Sequence, residues 1–98
     1  MLGTRVAVSS NGFRVGRWPF LQRIKWNDIL GVDAVFQNKV TYDEVFLVIR
    51  TRSGNASIGE LDIGFADFEE ALSSRVGPLP GSWRAMVSEA NPVATLIG

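Results

Sequence analysis

The sequence predicts a mainly β, α+β domain: a small antiparallel sheet closed by a helix near the C-terminus. Three observations carry this. Short stretches punctuated by Gly alternate apolar and polar residues over residues 4–63, the period of half-buried strands. Over residues 65–76 the apolar positions fall three and four apart, one face of a helix. The chain has 98 residues, 46% of them hydrophobic and 20% charged, which suits one domain, 1–98, with one core.

Val6 and Val8 alternate with Arg5, Ala7 and Ser9 in a first strand. Asn11-Gly12 follows, a pair that tolerates the positive φ of a two-residue hairpin turn. Phe13 and Val15 alternate with Arg14 and Gly16 in a second strand. Pro19, between Trp18 and Phe20, cannot donate to a ladder and interrupts the pattern. Ile24 and Trp26 alternate with Arg23 and Lys25 in a third strand. Residues 26–29 read as a tight turn or a single helical turn, with Asp28 capping it and Trp26 in the core.

Val32, Ala34 and Phe36 alternate with Asp33 and Val35 in a fourth strand. Residues 44–50 are almost wholly apolar and rich in β-branched side chains, which reads as a central strand covered on both faces or as one whose outer face is covered by a helix or a partner. Residues 56–63 make a sixth, weaker strand, which puts Glu60 and Asp62 on one face. The helix over 65–76 places Phe65, Phe68, Ala71 or Leu72, and Val76 on one side. Asp67, Glu69 and Glu70 lie early and Arg75 late, which suits its dipole. A second short helix is expected from Ser82, with Trp83, Met86, Val87 and Ala90 on one face. Pro92 ends it, and an apolar tail over 93–97 adds to the sheet or meets another molecule. Residues 82–97 thus form a C-terminal extension.

The chain has no Cys and no His. Disulfides are impossible, and imidazole-activated nucleophiles are excluded. Zinc would have to accept carboxylates alone. No Walker or dinucleotide spacing occurs. The expectation is no enzyme, no catalytic residue, no metal and no cofactor; the alternative is a carboxylate-based activity at Glu60 and Asp62. The longest apolar run, 45–49, is far short of the ~20 residues of a spanning helix. The N-terminus lacks the apolar core of a secretory signal. A cytoplasmic location and no membrane span are the expectations.

Phe13-Arg14-Val15-Gly16, Ile24-Lys25-Trp26-Asn27-Asp28-Ile29, Val32-Asp33-Ala34, Asp43-Glu44-Val45-Phe46-Leu47 and residues 60–68 resemble the bacterial branch of the pleckstrin-homology superfold. The resemblance covers residues 4–76. It implies a PH-like, partly open antiparallel β-barrel of six to seven strands (sheet 4–63) capped by a C-terminal helix (65–76), plus the short extra helix. Six strands are counted where the family has seven, so the tail supplies one or one is hidden. The family's capping helix also carries a Trp; here residues 65–76 have none, and Trp83 lies beyond. By analogy, the resemblance implies binding as the job.

Net charge is zero, yet Arg5, Arg14, Arg17, Arg23 and Lys25 all precede Trp26, with no carboxylate among them. On adjacent strands, Arg5, Arg14, Arg23 and Lys25 fall on one solvent-facing surface. Arg forks suit phosphate oxygens. PH domains that bind inositol phosphates hold them at a basic hairpin, and the resemblance carries only Arg14 and Arg17 over to that role. The alternative is a solvated basic face. A sequence pI near 6.2 argues against a nucleic-acid partner. Trp18, Phe20 and Leu21 around Pro19 form a candidate apolar patch, and Trp83, Leu96 and Ile97 in the C-terminal extension are further candidates. Two functions follow: a non-catalytic module for protein–protein interaction or self-association, forming a homo-oligomer, or one that binds an anionic lipid head group or a phosphorylated small molecule.

Overall fold

The structure is a computed structural model that describes residues 4–17, 20–38 and 41–98, with Arg17 described in its backbone only. Seven strands are described: β1 (Arg5–Val8), β2 (Gly12–Arg17), β3 (Phe20–Lys25), β4 (Ile29–Asn38), β5 (Asp43–Thr51), β6 (Gly54–Gly59) and β7 (Val93–Ile97). One α-helix, α1 (Phe65–Arg75), lies between β6 and β7.

The strands form two antiparallel sheets, ordered β1-β2-β3 and β6-β5-β4-β7. This corrects the expected single, partly open barrel. Among the described residues no ladder joins β3 to β4. The chain leaves β3 through a 3-10 turn, Trp26–Asp28, so its backbone turns away before β4 begins. Among the described residues, the only bridge outside the named strands is an isolated parallel one between Arg5 and Ile63. The tail supplies the seventh strand: β7 pairs with β4, Val35 opposite Val93 and Ala34 opposite Ala94.

Alternation decides which side is buried. Val6, Phe13, Val15 and Ile24 face inward from the first sheet, and Val32, Ala34, Leu47, Ile49, Ala56 and Ile58 from the second. Phe65, Phe68 and Leu72 of α1 join the same core. The helix expected over 65–76 is observed, and Val76 and Gly77 both donate to Leu72 O at its end, at 2.9 and 3.2 Å. Phe68 is the hinge of the packing. Its ring meets Phe13 edge-on at 4.8 Å and stacks near Trp26 at 6.4 Å. Trp26 is core, as expected, and its indole N–H donates to Ser9 O at 3.1 Å.

Three local expectations need correction. The hairpin closes where Ser9 N–H donates to Gly12 O at 2.8 Å, so Ser10 and Asn11 make the turn. No described non-Gly residue has positive φ. Gly12 is needed for a different reason: a Cβ there would strike Ile24 O of β3. The sixth strand stops at Gly59 rather than Ile63, because Asp62 accepts the Gly59 N–H at 2.9 Å and the chain turns. Glu60 and Asp62 therefore do not share a strand face. The expected second helix is one 3-10 turn, Trp83–Met86, with no side-chain cap from Ser82.

Candidate functional site

The outer face of β1–β3 gathers the basic residues. Register places Arg14 directly opposite Arg23, Gly12 opposite Lys25, and Gly16 opposite both Arg5 and Leu21. Residues directly opposite share a face, with Cβ atoms about 4.5–5.5 Å apart. Arg5, Arg14, Arg23 and Lys25 are thus on one surface, and all are exposed. Only the backbone of Arg17 is described, so its predicted role lies outside the described side chains.

Along β2 the outer positions read Gly12, Arg14, Gly16. Arg14 stands between two glycines whose Cβ positions are closed by the β3 backbone, by Ile24 O beside Gly12 and by Phe20 O beside Gly16. An open groove of about 480 Å3 lies here, lined among others by Gly12, Arg14, Arg23, Lys25 and Asp28. That size falls within the range of small-ligand sites, roughly 300–1,000 Å3. Asp28 is its one acidic lining residue. Among the described residues, no carboxylate lies within 4.0 Å of Arg5, Arg14, Arg23 or Lys25; the ion pairs are made by Arg50 and Arg84 instead.

The apolar candidates separate. Phe20, at the start of β3, is 85% exposed, and Leu21 is 38% exposed. Trp18 lies outside the described residues. Leu96 and Ile97 sit in β7, half-buried against the core. Trp83 is corrected: it is 1% exposed and offers no surface to a partner. Its ring packs 6.3 Å from Phe65.

Trp83 is held by a network that the sequence reading missed. Its Nε1–H donates to Glu69 Oε2 at 2.7 Å. Arg84 donates through Nη2 to Glu69 Oε1 at 3.0 Å and through Nε to Glu60 Oε2 at 3.1 Å, and its guanidinium lies 4.4 Å over the Trp83 ring. Burial pushes the Glu69 carboxyl up, but the hydrogen bonds from Arg84 and Trp83, with the Arg84 charge, outweigh it and hold Glu69 below its usual value. Hydrogen bonding to Glu69 raises Arg84 in turn, against desolvation and with help from Glu60. Burial raises Asp62, opposed by the Gly59 N–H.

No family model matches the chain, and neither a curated protein nor a solved structure matches it significantly. Among the described residues, no helix is long and apolar enough to cross a membrane, and no group of three or more acidic, His or Cys side chains could hold a metal ion.

Chemically, the two surfaces differ. The Glu69–Trp83–Arg84 cluster has matched charges and satisfied donors, so it is a structural tie. The β1–β3 face has cations without counter-ions beside an open groove. Alternation along β2 and β3 made this face readable; no residue pattern signalled the groove.

Proposed function

We propose that the chain is a non-catalytic binding module, and that its ligand is an oxyanion held between Arg14 and Arg23 on the outer face of β1–β3, with Lys25 beside them. The phosphoryl group of a lipid head group or of a small molecule is the chemistry that fits. One observation carries the reading: Arg14 and Arg23 stand opposite each other with no carboxylate within 4.0 Å among the described residues.

Like charges directly opposite on paired strands are destabilising. An anion between them reverses the sign, because each guanidinium then donates charge-assisted hydrogen bonds. The open groove that Arg14, Arg23 and Lys25 line gives the ligand access. The resemblance to PH domains that hold inositol phosphates at a basic hairpin points the same way and belongs to this proposal.

The test is a proton–nitrogen NMR titration at low salt with inorganic pyrophosphate. A parallel arm uses phosphatidylcholine vesicles doped with phosphatidylserine. Saturable shifts at Gly12–Gly16 and Arg23–Lys25, lost in the Arg14→Gln, Arg23→Gln double variant, are expected with at least one probe. Pyrophosphate alone would identify a free phosphate ligand, and vesicles alone a head group. No shift with either, or equal shifts in the double variant, would overturn the reading.

Self-association is a second reading favoured by a separate observation, the exposed Phe20 at the end of an open strand.

A further inference from the structure

We infer that Asp28 selects the ligand of the basic groove, and that this ligand is a phosphate monoester carrying a primary ammonium on a short arm. The inference rests on the oxyanion reading above and supplies the other half of the ligand.

Asp28 is the one acidic residue lining the groove that Arg14, Arg23 and Lys25 also line. It lies three residues from Lys25, yet among the described residues no Lys or Arg nitrogen is within 4.0 Å of its carboxylate. No side-chain cap closes its own 3-10 turn either. A carboxylate placed only to balance the basic face would be paired with it. Asp28 is instead exposed and open to an incoming donor.

The basic and acidic parts of the groove are held in place relative to each other. Trp26 is buried and opens the turn that carries Asp28. Its backbone N–H donates to Asn11 O at 3.1 Å, and its indole N–H donates to Ser9 O at 3.1 Å. Ser9 and Asn11 line the groove as well, so one residue ties the hairpin tip to the Asp28 turn. Ile29 N–H closes that turn on Trp26 O. Along β3, Arg23 and Lys25 share a face about 7 Å apart, and a 3-10 turn advances about 6 Å from Lys25 to Asp28. The order along the groove is therefore guanidinium pair, Lys ammonium, carboxylate. A matching ligand sets a phosphoryl group on the cations and a positive donor on Asp28.

Three cations suit the dianion of a monoester, about −1.5 to −2 at pH 7, better than the single charge of a lipid diester. Charge-assisted hydrogen bonds are roughly twice as strong as neutral ones, so an ammonium gains more from Asp28 than a hydroxyl does. Quaternary ammonium groups are recognised by open aromatic faces, and Phe13, the aromatic residue of the lining, is buried.

The test is calorimetric titration at low salt with phosphoethanolamine, with hydroxyethyl phosphate, where a hydroxyl replaces the ammonium, and with inorganic pyrophosphate. The parent chain is expected to bind phosphoethanolamine at least several-fold more tightly than hydroxyethyl phosphate, although net charge alone favours the latter. Asp28→Asn is expected to abolish that preference, weakening phosphoethanolamine several-fold while strengthening pyrophosphate. A general change of charge would strengthen both, and a damaged fold would weaken both. Pyrophosphate binding without a preference for the ammonium, or a preference that survives Asp28→Asn, would overturn the inference and leave the oxyanion site standing. So would tighter binding to phosphatidylcholine vesicles doped with phosphatidylethanolamine than to phosphoethanolamine itself. Absence of binding with every probe would overturn both.

Discussion

The indole N–H of Trp83 donates to the Glu69 carboxylate at 2.7 Å, which ties the segment after α1 to the helix itself. Trp83 is buried, so its donor has no ready replacement. Glu69→Ala removes the acceptor and is expected to destabilise the fold by about 1–3 kcal/mol, the penalty for a buried unpaired donor. Trp83→Ala leaves a cavity as well and is expected to cost about 3–5 kcal/mol. Urea denaturation of both variants checks the order. A Glu69→Ala protein as stable as the parent would show that the tie contributes nothing.

The same carboxylate sets an acid dependence. Glu69 is held below its ordinary 4.5 in the folded state. A carboxyl lowered on folding contributes stability that is present above its unfolded pKa and lost as pH falls through the folded one. Stability is expected to decline as the pH drops below 4.5, and Glu69→Gln to flatten that decline. Asp62 has the opposite sign. Its folded carboxyl is raised above 3.8, so the native state binds the proton more tightly and gains stability as pH falls through that raised value. Asp62→Asn is expected to remove this gain. Thermal melts across the acid range separate the two.

Phe68 links the helix to the first sheet through Phe13, 4.8 Å away, and is fully buried. Phe68→Ala is expected to cost about 3–5 kcal/mol, and Phe68→Leu clearly less, because it keeps most of the volume. Chemical denaturation measures both. A small loss in Phe68→Ala would mean that α1 does not close the core.

Arg50 clamps β7 to the sheet. Its Nη2 donates to Ile97 O at 3.0 Å. Its Nε lies 3.1 Å from Asp33 Oδ2 as an ion pair, out of line for a hydrogen bond. The guanidinium lies across Gly31, where a Cβ would collide with it. Arg50→Ala and Gly31→Ala are therefore both expected to loosen β7. Amide exchange at Ala94–Ile97 is expected to speed up by an order of magnitude or so, the effect of about 1.4 kcal/mol on local opening, while β5 stays protected. Unchanged exchange in β7 would remove the clamp from the account.

Much of the fold was legible because it is local. Alternation at Val6, Phe13, Val15 and Ile24 marked the inner face of the first sheet, and the spacing of Phe65, Phe68 and Leu72 marked the helix. The same alternation placed Arg5, Arg14, Arg23 and Lys25 together outside. What stayed hidden depends on contacts distant in sequence. Trp83 reads as a surface candidate until Phe65 and Glu69 are seen to surround it. The tail over 93–97 could not name β4 as its partner, since strand pairing is set by where the chain returns after α1. The split into two sheets follows from how the backbone leaves Trp26–Asp28, and no residue pattern states that. Asn11-Gly12 misled because glycine was required for a close approach to β3 rather than for positive φ.

The pairing of Arg14 with Arg23 is tested most directly by calorimetric titration with inorganic pyrophosphate at rising salt. Screening weakens attraction between exposed charges, so affinity is expected to fall steeply as salt increases and to vanish in the Arg14→Gln, Arg23→Gln variant even at low salt. Binding that ignores salt, or that survives loss of both guanidinium groups, would contradict the account.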